Sequence, residues 1–228
     1  MNFNEFEEKI EYHFKDQRLL EQAFTHRSYI NENRSERREH NERLEFLGDA
    51  VLELVVTEYL FAKYPNRPEG DLTSYRAALV NTTSISHSAA KLGMNEFLLL
   101  SRGEAKDTGR ARQIILANAF EAVIGAIYLD QGYGSAKNFI AEQLFHKTDE
   151  VVEKGLWQDA KSKFQEIAQE KNGATPSYNV ISQTGPDHDK RFVVGIYLGE
   201  DRIATGEGRS KQEAEQQAAE GALVAKGW

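Results

Sequence analysis

Three carboxylates stand at spacings of three and four in the stretch NERLEFLGD at positions 41–49: Glu42, Glu45 and Asp49. At about 100° per residue, a helix here places Glu45 roughly 60° and Asp49 roughly 20° from Glu42, one narrow acidic stripe. Leu47, Ala50, Val51, Leu54 and Val55 are expected on the other side. Like charges at these spacings repel, so the stripe calls for something that neutralises it. Carboxylate oxygens are hard ligands suited to Mg²⁺ or Mn²⁺. The bland reading is a solvated acidic helix face. A second apolar segment, from residue 113, carries Glu121 with Asn118 one turn earlier on the same face. Should the two helices cross, Asn118 and Glu121 meet Glu45 and Asp49 in a cage of oxygens, a site fit for metal-assisted phosphodiester hydrolysis. The competing reading pairs Glu121 with Arg43 or Arg112 in a structural ion pair.

The elements that must hold these residues are helical by pattern. Apolar residues recur at helical spacing over 16–30, 41–64, 71–92 and 113–129, separated by Pro65, Pro68, Gly70, Gly93, Gly109, Gly132 and Gly134. Asn41 is a candidate N-cap. The charged stretch 31–39 reads as an exposed loop, and the pattern loosens near 148–155, which suits a linker. Residues 159–171 then read as a helix, 177–182, 191–198 and 202–207 as strands, and 210–225 as an alanine-rich helix. The expected organisation is an all-α domain over 1–148, a linker over 149–157 and a small α+β domain over 158–228 in the order α-β-β-β-α.

Composition narrows the classes. The chain has 228 residues, no cysteine and a formal net charge of −8, so thiolate zinc sites and cysteine nucleophiles are excluded. An acidic start without a basic-then-apolar layout, and apolar runs short of a bilayer span, point to a cytoplasmic protein without a membrane partner. The histidines show no H-E-x-x-H spacing and no P-loop is present, so no nucleotide cofactor is expected. From Asp159 onward nine Lys/Arg stand against eleven Asp/Glu, so nucleic-acid binding would rest on local placement of charge rather than on its total.

NERLEFLGD at 41–49, EGDL at 69–72, RAALV at 76–80 and FEAVIGAIYLD at 120–130 together resemble the ribonuclease III family, in order and over essentially the whole chain. The resemblance implies a Mg²⁺-dependent, homodimeric endoribonuclease that cuts double-stranded RNA to staggered ends with 5′-phosphates and acts in ribosomal and messenger RNA processing. Carried over by position, Glu45, Asp49 and Glu121 match metal-ligand carboxylates, with Asn118 beside them. Asp49 and Glu121 match catalytic acids, and Glu42 and Glu69 match supporting acids near the cleavage centre. Dimerisation through the catalytic domain would account for exposed apolar surface near Phe46. Bacterial members commonly have Asp where this chain has Asn118, and that departure leaves a second expectation open: a weakened or inactive double-stranded RNA-binding protein.

The α-β-β-β-α segment resembles the double-stranded RNA-binding domain. The resemblance implies RNA contacts from Gln165 and Glu166 on its first helix, from His188 and Lys190 in and after the first strand-to-strand loop, and from Arg209, Ser210 and Lys211 at the start of the last helix. The usual second lysine at that helix start is Gln212 here.

Overall fold

The computed structural model describes residues 3–155, 157, 159–186 and 190–228. The chain divides into two compact units, Met1–Trp157 and Gln158–Trp228.

The first unit is helical: α1 Asn4–Lys9, α2 Gln17–Ala23, α3 Arg27–Glu32, α4 Glu42–Lys63, α5 Glu69–Val80, α6 Thr82–Lys91, α7 Arg110–Gln131, α8 Tyr133–Leu144 and α9 Thr148–Glu153. Its centre is α7, buried on nearly every side from Ile115 to Ile127, as expected of a helix that is apolar all round. By length and composition α7 could cross a bilayer, but 61% of its most apolar window is packed inside this unit. The signature helix α4 lies against α7 and buries Leu44, Gly48, Val51, Leu52, Val55, Val56 and Leu60 in the core of this unit.

Two expected helices are each broken in two, both for reasons of hydrogen bonding. The segment 16–30 divides into α2 and α3 because Thr25 leaves the helix to bridge Leu99, with His26 N donating to Leu99 O at 3.1 Å and Leu99 N to Phe24 O at 2.9 Å. The segment 71–92 divides at Asn81, which is extended and caps the following helix by accepting from Ser84 N at 2.9 Å. Asn41 occupies the N-cap position of α4 but makes no side-chain cap. It is buried and bonds instead to Ala23 O at 3.1 Å, while its own N–H meets Thr25 O at 2.9 Å. The signature helix is thereby tied to the end of α2. Residues 148–153, expected to loosen, form α9, with Asp149 and Glu150 at the positive end of its dipole and Val151 and Val152 packed on the core.

The far end of α7 is clasped by the start of the chain. Asp130 accepts from Lys15 N at 3.0 Å and Asp16 N at 2.9 Å, and Gln131 Nε2 donates to His13 O at 2.9 Å. These amides hold the Asp130 carboxyl below its ordinary range against the opposing effect of burial.

The second unit consists of α10 Ala160–Asn172, the strands β1 Ser177–Thr184, β2 Arg191–Leu198 and β3 Asp201–Gly208, and α11 Lys211–Lys226. The strands form an antiparallel sheet in the order β1-β2-β3, the expected α-β-β-β-α. Asp159 caps α10 by accepting from Ser162 N at 3.0 Å. Phe164, Ala168 and Ile196 form the core with Ala218, Ala219 and Ala222 of α11. Alanines suffice there because α11 rides directly on β3: a Cβ at Gly206 would fall 2.2 Å from Ala218 N.

Candidate active site and RNA interface

The crossing of α4 and α7 brings the acids together. Gly48 faces the backbone of Glu121, and Gly125 faces that of Leu44, so the helices meet main chain to main chain beside the acidic stripe. Glu121 is partly buried between Phe120 and Ala122, both fully buried. Its carboxyl is pushed up to about 8, first by burial and then by the charges of Asp49, Glu45 and Glu53. Glu45 is also raised, by burial and by Glu42, while a hydrogen bond with Asn118 acts the other way. Asp49 is exposed at the rim. Thus Glu45, Asp49, Asn118 and Glu121 share one electrostatic neighbourhood.

The competing ion pair does not form. Arg112 binds Asn95 Oδ1 at 2.8 Å and Glu104 O at 2.7 Å, and among the described residues no Lys or Arg bridges Glu121, Glu45 or Asp49. Nor, among the described residues, do three Asp, Glu or His side chains converge closely enough to form a ready metal cage by themselves. The donor set is hard oxygen throughout, partly desolvated and mutually repulsive, and this fits a divalent cation.

Glu42 lies at the exposed start of the stripe, where Arg27 Nη1 approaches it at 3.2 Å. Glu69 is not brought to the cluster within this chain. It starts α5, accepts from Thr73 Oγ1 at 3.0 Å and lines a cleft of about 380 Å³ with Leu60, Phe61, Leu72 and Arg76. The reason is the antiparallel return of α5 along α4, shown by the Arg76–Glu53 ion pair at 2.6 Å. This leaves Glu69 level with the far end of α4, about 18 Å of helix rise from Asp49.

Glu53 is a residue that the motif reading passed over. It stands one turn beyond Asp49, continues the stripe and contributes to the field at Glu121; the i,i+4 spacing was the available signal. Two side chains expected to face the core are exposed instead, Ala50 and Leu54. With Phe46 at 80% and Phe61 at 73% exposure, they form an apolar stripe spanning roughly 80° of α4 beside the acids.

In the second unit Gln165 is exposed on the side of α10 away from Phe164, and Glu166 is its exposed neighbour. Lys190 immediately precedes β2 and is partly buried. His188 lies outside the described residues. Arg209 and Lys211 are exposed at the start of α11. Ser210 caps that helix, accepting from Glu213 N at 3.1 Å, and the Glu213 carboxylate returns to Arg209 N at 2.8 Å. An acid therefore sits within the same turn as the two cations.

Residues 16–148 match the Ribonuclease-III-like family and residues 160–224 the Double-stranded RNA binding motif family. Ribonuclease 3 of Geobacillus thermodenitrificans is 47% identical over 97% of this chain and 89% of its own length. Ribonuclease 3 of Bacillus velezensis is 45% identical over the same shares. The solved nuclease domain of ribonuclease III from Campylobacter jejuni shares 44% identity, covers 62% of this chain and 98% of its own, and superposes with a TM-score of 0.56. With its helical nuclease domain followed by an α-β-β-β-α domain, the chain belongs to the ribonuclease III family of endoribonucleases.

Proposed function

We propose that this chain cleaves double-stranded RNA by cation-dependent phosphodiester hydrolysis, with Glu45, Asp49, Asn118 and Glu121 holding Mg²⁺, or Mn²⁺ in its place. The observation that carries the reading is Glu121, partly buried among Asp49, Glu45 and Glu53 with no cationic side chain bridging it among the described residues. Ionising that carboxyl without a counter-charge is costly, and a divalent cation supplies the missing charge. Bound there, the ion provides the Lewis acidity that hydrolysis of a phosphodiester needs. Water oxygen joins phosphorus, the bond to the 3′ oxygen breaks, and the products carry a 3′-hydroxyl and a 5′-phosphate.

The protein groups divide the work. Glu121 holds a proton near neutral pH and gives it up when the site fills. Asn118 steadies Glu45 by a hydrogen bond, where an aspartate would add a further negative charge to the cluster. Asp49, exposed at the rim, faces the side from which a duplex can arrive. Glu42 supports the acidic end of the stripe.

A homodimer supplies Glu69. Burying Phe46 in an apolar seat stabilises association by about 2–3 kcal/mol per copy, and the cleft lined by Leu60, Phe61 and Leu72 is such a seat. In a two-fold pairing, the cleft of one copy receives Phe46 of the other, which carries Glu69 of one copy to the acids of the other. Gln165, Glu166, His188, Lys190, Arg209, Ser210 and Lys211 hold the duplex by minor-groove and phosphate contacts. Staggered ends follow from two centres acting on opposite strands, and processing of ribosomal and messenger RNA in the cytoplasm fits that activity.

The test is cleavage of a long RNA duplex with and without Mg²⁺. Wild type cuts, Glu121→Gln loses about 10³-fold in rate yet still binds duplex, and Asn118→Asp lowers the Mg²⁺ concentration needed for half-maximal rate. A wild type that binds duplex but never cuts, beside an Asn118→Asp protein that does, would show a binding protein instead.

A further inference from the structure

We propose that Gly48 and Gly125 are positioning residues of the active site: their mutual contact sets the spacing of the acids and so selects a small cation. This rests on the divalent-cation reading above.

The geometry is reciprocal. A Cβ at Gly48 would fall 1.7 Å from Glu121 O and 2.6 Å from Glu121 C, and one at Gly125 would fall 2.3 Å from Leu44 O and 3.2 Å from Gly48 N. Each glycine therefore presses on the main chain of a residue that bears, or adjoins, a site acid on the opposite helix: Glu121 itself, and Leu44 next to Glu45. Such contacts differ from ordinary core packing, because the atoms in the way are backbone and cannot rotate aside. Carbon–oxygen contact requires roughly 3.5 Å, so a single methyl group at either position must move the helix axes apart by an ångström or more.

That displacement exceeds what the chemistry tolerates. Mg²⁺ demands near-octahedral oxygens at about 2.0–2.1 Å, whereas Ca²⁺ accepts about 2.3–2.6 Å in looser geometry. Widening the gap between the acids of α4 and Glu121 of α7 thus harms Mg²⁺ binding more than Ca²⁺ binding. A glycine needed only for folding would affect the two ions alike.

Calorimetric titration of the full-length protein with Mg²⁺ and with Ca²⁺ tests this, alongside melting temperature and duplex cleavage. Gly125→Ala is expected to weaken Mg²⁺ binding by about tenfold or more, and Ca²⁺ binding by clearly less, on the scale seen when the support of a metal ligand is disturbed. Ile140→Val on α8, a fully buried site on neither of the crossing helices, serves as the stability control and should leave the ratio of the two affinities unchanged. Unaltered Mg²⁺ affinity in Gly125→Ala, or an equal shift of the ratio in the control, overturns the proposal. Should Gly125→Ala fail to fold, Glu121→Asp is read instead, since it shortens one ligand by a methylene in an unaltered frame. A comparable loss of Mg²⁺ affinity with the melting temperature retained supports a frame that cannot adjust, and affinity within about twofold of wild type overturns it. Wild type that neither binds Mg²⁺ nor cuts would instead remove the cation reading on which the inference stands.

Discussion

The acids at the α4–α7 crossing and the cations at the start of α11 place charge by opposite rules. At the crossing, like charges are crowded, Glu45 and Glu121 are partly buried with no Lys or Arg bridging them among the described residues, and the carboxyl of Glu121 is displaced to about 8, first by burial and then by its acidic neighbours. At α11, Arg209 and Lys211 are exposed, and Glu213 sits in the same turn, bonded to Arg209 N. Solvent screens the second arrangement, whereas burial amplifies the first. Net charge therefore locates neither region: in a chain of −8 the acids can be concentrated at one helix crossing while exposed cations stand at the start of another helix.

Three measurements press on this contrast. The largest effect is expected from Phe46→Asp, which puts a charge into the exposed apolar stripe of α4. Dimerisation measured by sedimentation should weaken by about 100-fold or more, and cleavage should fall with it. If the protein remains dimeric, α4 does not carry the interface. Next, Lys211→Ala should weaken duplex binding several-fold and reduce the slope of log affinity against log salt by about one. Its rate at saturating RNA should stay near wild type, because the residue stands outside the acid cluster. An unchanged salt slope would remove Lys211 from the RNA surface.

The smallest effect concerns stability. The folded protein keeps a proton on Glu121 up to about pH 8, whereas the unfolded chain loses it near the ordinary carboxyl value of 4.5. Stabilisation by that proton is full below the lower value and is lost as pH rises through the upper one. Cation-free protein should therefore melt a few degrees lower at pH 8.5 than at pH 6. Glu121→Gln should flatten that difference, Mg²⁺ should offset it, and Lys211→Ala should leave it alone. A flat profile in wild type would mean that Glu121 is better hydrated than its burial implies.

Much of the acid site was legible because helical periodicity is a one-dimensional signal. Positions 42, 45 and 49 share a face whatever the helix packs on, and so do 118 and 121. The second unit was equally open, since β2 spans the anticipated residues and the other strands extend by one or two. What periodicity does not carry is how a chain leaves a helix. The break at Asn81 and the bridge of Thr25 to Leu99 depend on partners far away or on a side chain that caps rather than continues. The exposure of Ala50 and Leu54 was hidden for another reason: an apolar residue looks the same in a sequence whether it faces the core or solvent. Glu69 was named from its motif, but its distance from the acids is fixed by the direction in which α5 returns. The contact of Gly48 with Glu121 joins residues 73 positions apart, and no local pattern announces it.

The clasp at Asp130 bears on how this protein is made. During synthesis the first sixteen residues emerge long before their acceptor at 130, and α4 emerges long before the α7 backbone on which Gly48 must settle. The nascent chain therefore carries α4 with its apolar face uncovered and its acids without Glu121 beside them until α7 is out. Because domains generally fold as units during translation, the nuclease domain can close only once α7 arrives to receive the N-terminal segment at one end and the signature helix along its length. A chain that ends before α7 thus lacks the backbone on which Gly48 of α4 settles.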